Sequence, residues 1–319
     1  MSHDFLVITN CTARKRAGVP MVQLTAPTAC QDLVALVSYW RETLRAEPPI
    51  LPAGQLYVGR SINESKAVAS VLEARLFVVS AGLGLVPSDR LVPGYDLSVS
   101  GTESRLNGLL SAHRASFSDW WRELSKGSGL PCLLDEAPNA VVLISLPTNY
   151  LELLTADFAD IPVASRVRLR VFTSSSGRKA LSGLPDIPVM PYDERLESVP
   201  GFSGTRADFP QRAMRHFVSV LGAQHLDPKA ASSAVERSLE TCIAPSIPAR
   251  NRLDDAEICA LIRQGWKACG GNSARLLRYL RDTQKVACEQ GRFALLRRRV
   301  ADELAAETQL QTLEAKNVI

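Results

Sequence analysis

Short apolar runs alternate with longer stretches of helical period through the first two-thirds of the chain. The apolar runs predict buried strands at residues 5–8, 76–80, 140–145 and 167–173. Helical patterns fall at residues 30–46, 63–74, 103–124, 148–158 and 177–184. Strands that are apolar throughout and separated by helices are typical of a parallel sheet covered on both faces. The sequence therefore predicts a doubly wound, mostly parallel α/β fold, with an edge strand at the proline-containing run 187–190.

Only helical patterns remain beyond about residue 205. They begin near residues 209, 227, 254, 272 and 289, and the tail beyond about residue 309 shows no clear period. The Pro/Gly/Ser-rich segment "ESVPGFSGT" at residues 197–205 is typical of a linker. A length of 319 residues also favours two domains. We therefore predict an α/β domain over residues 1–196, a linker over 197–205 and an all-helical domain over 206–319.

The composition is that of an ordinary globular protein, with 46% hydrophobic and 22% charged residues. The seven cysteines are scattered and form no C-x-x-C pair, which favours reduced thiols in the cytoplasm. The cysteines and the four histidines show no spacing typical of a zinc site, so we expect no metal and no cofactor. Without a signal-peptide pattern or an apolar run of about 20 residues, we expect a soluble cytoplasmic monomer that does not contact a membrane.

Positive charge is concentrated in one part of the chain. The formal net charge is only +4, but residues 250–300 hold twelve Lys/Arg against five Asp/Glu. Such a basic block favours a polyanionic partner, of which nucleic acid is the commonest. A solvated helical surface would give the same composition, so both interpretations stay open.

One helical pattern within this block is basic on one face. Arg275, Arg278 and Arg281 fall within about a third of the helix circumference, opposite an apolar face. Together with the preceding helical pattern and a Gly-Gly turn, they predict a helix-turn-helix-like segment over residues 254–285. We expect these arginines to contact DNA phosphates, with Arg206 lining the same groove. The alternative is a surface helix whose arginine stems cover apolar surface.

Polar and basic residues follow each predicted strand. In open α/β sheets, ligands bind outside the carboxyl ends of the strands, where helix N-termini present free backbone N–H groups. The segments that follow the strands are residues 9–15, 80–97, 146–150 and 174–179. Because parallel strands end at one edge of a sheet, we expect these four segments to converge on a single ligand site.

The last of these segments contains a serine run before a helical pattern. Ser174, Ser175 and Ser176, followed by Arg178, have the hydroxyls and the charge that suit a phosphate at a helix start. Serines before a helix are also ordinary N-caps. Either use fits the sequence.

Two carboxylates and one amide are the candidates for catalysis. Asp89 and Asp96 lie in the loop after the second strand, and Asn10 ends the first. Breaking an N-glycosidic bond builds positive charge on the sugar, so a nearby carboxylate stabilises the transition state and can orient water. A Ser-Asp turn at Asp89 and a structural contact at Asp96 are the alternatives. Gly82 and Gly84, in the same loop, either let the backbone approach a ligand or form a tight turn.

Part of the chain resembles a bacterial family with a strand-end Cys/Lys segment, an "LYxG" helix start and an "SAxxGL" loop that ends in "YDL". The resemblance rests on "VITNCTARKR", "QLYVGRSINESKAVA" and "FVVSAGLGLVPSDRLVPGYDLS" and covers about residues 4–190. The family is similar to a branch of the uracil-DNA-glycosylase-like superfamily that also includes YaaA-type peroxide-stress proteins and phage-defence DNA glycosylases. The chain lacks the superfamily sequences "GQDPY" and "HPSP", and "SSSGR" would serve in place of the latter.

The resemblance implies a DNA glycosylase that flips a modified base out of double-stranded DNA and hydrolyses its N-glycosidic bond, leaving an abasic site. The phage-defence members imply glucosylated hydroxymethylcytosine as the substrate and antiviral defence as the role. Asn10 stands where superfamily members carry a water-orienting Asp or Asn, and we expect it to act with Asp89 or Asp96. A base-exchanging transglycosylase or deoxyribosyltransferase, and a non-catalytic DNA-binding stress protein, are the alternatives.

The remaining site residues fall into two groups. We expect the substrate to contact Thr9, Cys11, Tyr57, Ser80, Gly82, Gly84, Tyr95 and Asn149, with Tyr57 or Tyr95 stacking on the base. We expect DNA phosphates to contact Arg14, Lys15, Ser174, Ser175, Ser176, Arg178, Arg206, Arg275, Arg278 and Arg281.

Overall fold

The computed structural model describes residues 4–25, 30–99, 105–246 and 250–317, with backbone alone for residue 105 and residues 308–317. Its strands are β1 (Phe5–Asn10), β2 (Val22–Gln23), β3 (Leu51–Pro52), β4 (Arg75–Ser80), β5 (Gly84–Pro87), β6 (Leu91–Val92), β7 (Tyr95–Asp96), β8 (Val141–Ser145) and β9 (Leu169–Phe172).

The helices occupy most of the chain between and after the strands. They are α1 (Leu33–Ala46), α2 (Ala53–Leu56), α3 (Arg60–Val71), α4 (Arg105–Ala112), α5 (Phe117–Leu124), α6 (Leu130–Glu136), α7 (Thr148–Leu153), α8 (Thr155–Asp160), α9 (Val163–Arg166), α10 (Ser175–Ala180), α11 (Phe209–Ser219), α12 (Pro228–Leu239), α13 (Asp255–Cys269), α14 (Ser273–Arg278) and α15 (Gln290–Asn317). Short 3-10 turns cover Glu194–Ser198, Arg206–Asp208 and Ala223–His225, and a π-helical turn covers Tyr279–Thr283.

A five-stranded sheet with the order β5-β4-β1-β8-β9 forms the centre of the fold. All neighbouring strands pair in parallel except β4 and β5, which pair antiparallel. All six residues of β1 are buried. Because consecutive side chains point to opposite faces of a sheet, β1 is covered on both faces. The prediction of a mixed α/β fold with a mostly parallel sheet is confirmed, and α3 and α11 both pack against the strands.

The strand order places a topological switch point beside β1. From β1 the chain goes to β4 and β5 on one side and then returns to β8 and β9 on the other side. The carboxyl ends of β1 and β8 therefore border the crevice where open α/β sheets bind ligands. Their register aligns Thr9 with Ser145, so Asn10 and Leu146 stand at this edge.

Three local predictions differ from the structure. The predicted helix 103–124 is two helices, since Arg114 has a positive φ of 50° and Ser116 caps α5; residues 103 and 104 lie outside the described residues. The run 187–190 makes only an isolated parallel bridge, from Val189 to Val171. The tail beyond residue 309 continues α15 as far as Asn317.

The chain divides into two compact units, Met1–Pro245 and Ser246–Ile319, so the predicted boundary at 197–205 is wrong. That segment belongs to the first unit, because Phe202 is buried in its core. The helix α11 that follows contacts α3 and β8 in the same unit. A helical pattern in the sequence shows which face is apolar but not what that face packs against.

The second unit is built on α13, α14 and α15. Its core is formed by Ile258, Ile262, Leu276, Leu280, Val286, Cys288, Phe293, Leu296 and Val300. Gly270 and Gly271 both have positive φ and turn the chain between α13 and α14. Across the described ranges of the whole chain, no helix is long and apolar enough to cross a membrane.

Candidate functional site

A buried amide bridges the carboxyl ends of β1 and β8. Gln211 Nε2, from α11, donates to Asn10 Oδ1 at 2.8 Å, to the Ser145 carbonyl at 2.9 Å and to Thr9 Oγ1 at 3.2 Å. Asn10 Nδ2 donates in turn to the Cys11 carbonyl at 2.8 Å. Both polar atoms of the Asn10 side chain are therefore engaged within the protein. Asn10 is only 7% exposed, so its side chain is largely closed to solvent and holds the strand end through these contacts.

A second contact crosses the same switch point. The Tyr150 hydroxyl, from α7, lies 2.9 Å from Cys11 Sγ and donates to the Cys11 carbonyl at 3.1 Å. Burial raises the pKa of Tyr150 well above its usual value, so the hydroxyl stays protonated. The sequence analysis missed Tyr150 and Gln211. Tyr150 adjoins the predicted site residue Asn149, while Gln211 is a polar residue at a fully buried position of an amphipathic helix.

Two predicted base-stacking residues are sealed in the interior. Tyr95 Oη lies 2.5 Å from Ser80 Oγ and 2.8 Å from Tyr57 Oη. Tyr57 is 2% exposed and Tyr95 0%. Burial is the main cause that raises the pKa of both phenols, so both stay neutral. The prediction that either ring stacks on a base is wrong for this structure, because the rings pack inside the core.

The two glycines of the same loop serve packing and turn geometry. A Cβ on Gly82 would lie 2.6 Å from the Tyr95 ring, and the Gly82 carbonyl accepts from Trp40 Nε1 at 2.7 Å. Gly84 has a φ of +76° at the reversal from β4 into β5. Backbone amides of this turn also donate to Ser80 Oγ, from Gly82 at 3.2 Å and from Leu83 at 3.0 Å. These contacts favour the tight-turn interpretation of the glycines.

The reversal at Gly84 carries Asp89 to the opposite edge of the sheet. Because β5 runs antiparallel to β4, the residues after Pro87 return to the amino end of β4. The Ser88 amide accordingly donates to the Leu76 carbonyl at 2.8 Å, near the start of that strand. Asp89 is exposed there, so the prediction that it lies beside Asn10 at one ligand site is wrong.

Charged groups do gather at the mouth of the carboxyl edge. Lys15 is half-buried, and its Nζ lies 4.6 Å from the centroid of the Tyr95 ring. Burial lowers the pKa of Lys15, while the nearby Cys11 and Asp96 act to raise it. Asp96 is exposed on β7 and makes no ion pair with Lys15 at contact distance. We call Lys15, Asp96 and the exposed Arg14 the charged mouth.

The serine run after β9 caps a helix. Ser174 Oγ accepts from the Gly177 amide at 3.3 Å and is the N-cap of the six-residue helix α10. Ser175 Oγ donates to Glu194 at 3.2 Å, and Arg178 Nη2 donates to the Met190 carbonyl at 3.2 Å. Ser174, Ser175 and Arg178 thus have protein partners, as the capping interpretation expects. Ser176 is exposed.

The predicted arginine stripe of the second unit is split. Arg275 and Arg278 are exposed on α14, but a π-helical turn begins at Tyr279 and changes the angular spacing that a regular helix would give. Arg281 therefore turns inward, and its Nη2 donates to the Cys288 carbonyl at 2.8 Å. Arg206, in the first unit, is exposed in a 3-10 turn.

The described residues contain no group of three or more His, Cys, Asp or Glu side chains that could hold a metal ion. The site that remains is the carboxyl edge of the sheet, with buried amides, hydroxyls and one thiol at the strand ends and the charged mouth beside them. Comparisons with protein-family models, with curated proteins and with solved structures find no match to this chain.

Proposed function

We propose that this protein is a DNA glycosylase that hydrolyses the N-glycosidic bond of a modified base. One observation carries the proposal: an exposed carboxylate, Asp96, and a half-buried amine, Lys15, lie near each other beside the switch point of a parallel sheet. Cleavage of the sugar–base bond needs negative charge near the sugar and positive charge near its phosphates. The charged mouth supplies both.

Each residue of the charged mouth has its own role in this hydrolysis. Asp96 stabilises the positive charge that develops on the sugar and orients the water that attacks its anomeric carbon, while the proton released by the water goes to the departing base. Lys15 and Arg14 bind the flanking phosphates. Asn10 acts as a positioning residue, because its side-chain amide is already hydrogen-bonded to Gln211 and to the Cys11 carbonyl.

The substrate and the role come from the resemblance of residues 4–190. It favours glucosylated hydroxymethylcytosine in phage DNA as the base that is removed, and antiviral defence as the purpose. Extrusion of a base costs a few kcal/mol, which phosphate contacts offset. The protein therefore needs cationic side chains as well as a pocket.

Two other functions have specific support. An exposed Asp96 carboxylate beside an amine also suits a transglycosylase. In such an enzyme the carboxylate attacks the anomeric carbon and expels the original base, and a free base then displaces the carboxylate from the same carbon. The mutual pairing of Ser80, Tyr57 and Tyr95 instead suits a DNA-binding protein without activity, because these groups are closed to a ligand.

The test uses phage DNA that carries glucosylated hydroxymethylcytosine, with unmodified DNA as the comparison. We expect the protein to release the modified base, measured by mass spectrometry, and to leave alkali-labile breaks. Asp96→Asn should slow release by about 100-fold or more, the scale of losing one electrostatic contact to the transition state. Asp89→Asn is the matched control: an exposed aspartate of the same segment at the other sheet edge, whose loss should leave the rate unchanged.

Other results of this assay would favour one of the alternative functions or contradict the role of Asp96. Release that requires an added free base would support the transglycosylase, and binding without release would support the non-catalytic protein. A fully active Asp96→Asn, or an equal loss in Asp89→Asn, would contradict the assignment of Asp96.

A further inference from the structure

The second unit contains an open cleft of about 580 Å³ with four arginines in its lining. They are Arg250, Arg252, Arg281 and Arg292, and Glu289 and Cys288 lie among them. All residues that line the cleft belong to the unit Ser246–Ile319, whereas the residues of the charged mouth belong to the unit Met1–Pro245. Of these four arginines, the sequence predicted phosphate binding only for Arg281.

Short-range pairing of two extended segments builds the cleft. The Asn251 amide donates to the Lys285 carbonyl at 2.7 Å, and the Ala287 amide donates to the Asn251 carbonyl at 2.8 Å. Residues two apart in an extended segment point to the same side. Arg250 and Arg252, on either side of Asn251, therefore both line the cleft.

Backbone carbonyls and carboxylates hold three of the guanidinium groups in place. Arg281 Nη2 donates to the Cys288 carbonyl at 2.8 Å, as described above. Arg250 Nη2 lies 3.2 Å from Asp282, and Arg292 Nη2 lies 2.6 Å from Asp255. These contacts fix the arginines without using all the N–H donors that each guanidinium carries.

The negative charge within the cleft is already engaged. Glu289 accepts from the Gly291 amide at 2.9 Å and from the Arg292 amide at 3.0 Å, where it caps α15. These backbone hydrogen bonds lower the pKa of Glu289, so it remains ionised. Within the described ranges, neither Arg252 nor Arg281 forms an ion pair at contact distance, although the charge of Arg281 also helps to lower the pKa of Glu289. Arg252 thus lacks a counter-charge among the described residues, and Arg281 has no carboxylate in direct contact.

We propose that this cleft binds phosphate groups. The planar guanidinium donates two parallel hydrogen bonds to phosphate oxygens, and arginines held in place lose little conformational entropy on binding. The phosphate belongs either to the backbone of a nucleic acid or to a small phosphorylated molecule, and both present the same oxygen atoms. The proposal does not rest on the glycosylase function, because binding at this cleft requires no reaction at the charged mouth.

The test compares two exposed arginines of the same unit in the full-length protein. Arg252→Ala removes a cleft arginine and Arg298→Ala one outside the cleft, and neither side chain has a hydrogen bond or ion pair with the part of the chain that the structure describes. One probe is a fluorescein-labelled, unmodified 20-base-pair duplex, followed by anisotropy between 50 and 200 mM salt. The other is inorganic pyrophosphate, followed by calorimetry.

If the phosphates come from DNA, Arg252→Ala should weaken duplex binding by about 10-fold and reduce the slope of log affinity against log salt by about 0.9. Arg252→Glu should weaken it further, and Arg298→Ala should match the wild type. Loss of pyrophosphate binding with unchanged duplex binding would instead assign the cleft to a small phosphorylated molecule. The proposal is overturned if Arg252→Ala binds both probes as the wild type does, or if Arg298→Ala weakens binding equally. Because unmodified DNA is used, a failed glycosylase assay does not affect this result.

Discussion

Arg212 is the most fully enclosed charge in the candidate scaffold, and its removal should destabilise the first unit. Its side chain is 0% exposed. Nε donates to Asp208 at 2.7 Å, and Nη2 donates to Glu197 at 2.7 Å and to the Thr205 carbonyl at 2.8 Å, while Nη1 donates to the Phe202 carbonyl. These contacts hold residues 197–205, the predicted linker, against α11.

The expected loss follows from what Arg212→Met leaves behind. Methionine keeps most of the volume but removes every hydrogen bond, so Asp208, 10% exposed, and Glu197, 23% exposed, lose their counter-charge. Breaking a buried ion pair in this way costs about 3–5 kcal/mol. For a domain of this size, 1 kcal/mol corresponds to about 2–4 °C, so the midpoint of thermal unfolding should fall by about 6–20 °C.

The assay is calorimetry, with urea titration at 25 °C as a second measure of the free energy of unfolding. Arg206→Met is the control, because Arg206 is exposed in the same segment and its loss should change stability by less than about 0.5 kcal/mol. Arg212→Lys should fall between the two, since one ammonium cannot satisfy acceptors on two sides. A loss below about 1 kcal/mol in Arg212→Met would show that the segment is not held by this arginine.

Three further substitutions test the scaffold. Gln211→Leu leaves buried acceptors on β1 and β8 without a donor, so urea titration should show that the free energy of unfolding falls by about 2–5 kcal/mol. The control Gln55→Ala, at an exposed position, should lower it by less than about 0.5 kcal/mol, and equal losses in the two variants would refute the bridge. Burial lowers the pKa of His216 from its ordinary 6.5, so the unfolded chain binds a proton more readily than the folded chain, and stability should fall as the pH drops below about 6.5. Urea titrations from pH 7.5 to 5.5 should show this fall in the wild type and a smaller one in His216→Phe. The same pH profile in both proteins would contradict the prediction. Gly82→Ala places a Cβ 2.6 Å from the Tyr95 ring and should cost about 1–3 kcal/mol in thermal melts, whereas wild-type stability would show that the ring moves freely.

The central sheet could be predicted from the sequence because its strands are buried on both faces. Residues 5–8 and 141–144 are apolar runs within two of the strands, and such runs alternating with helical patterns predict the parallel sheet directly. The direction of β5 could not be predicted in the same way. "SAGLGLVP" has no Asn-Gly or Asp-Gly hairpin signal, so the reversal at Gly84 was not recognised and Asp89 was assigned to the wrong edge.

The candidate site was predicted only where neighbours in sequence are also neighbours in space. Asn10 ends β1, Cys11 and Lys15 come within five residues of that end, and the structure places them at the carboxyl edge. Gln211 comes from a helix 201 residues away from Asn10, and a single sequence gives no measure of such a contact. The same distance explains why residues 206–245 were assigned to the wrong domain.

The two cationic regions differ in how their charge is held, and this difference favours different tasks. Lys15 lies over an aromatic ring in a half-buried setting that lowers its pKa, so solvent would screen an anion bound there less than one bound at an exposed side chain. Arg252 is exposed and has no fixed partner among the described residues, so its attraction is screened by salt and extends over an open surface. Under the two proposals, the half-buried Lys15 suits the positioning of one nucleotide, whereas the salt-screened guanidinium groups of the cleft suit reversible contact with phosphates.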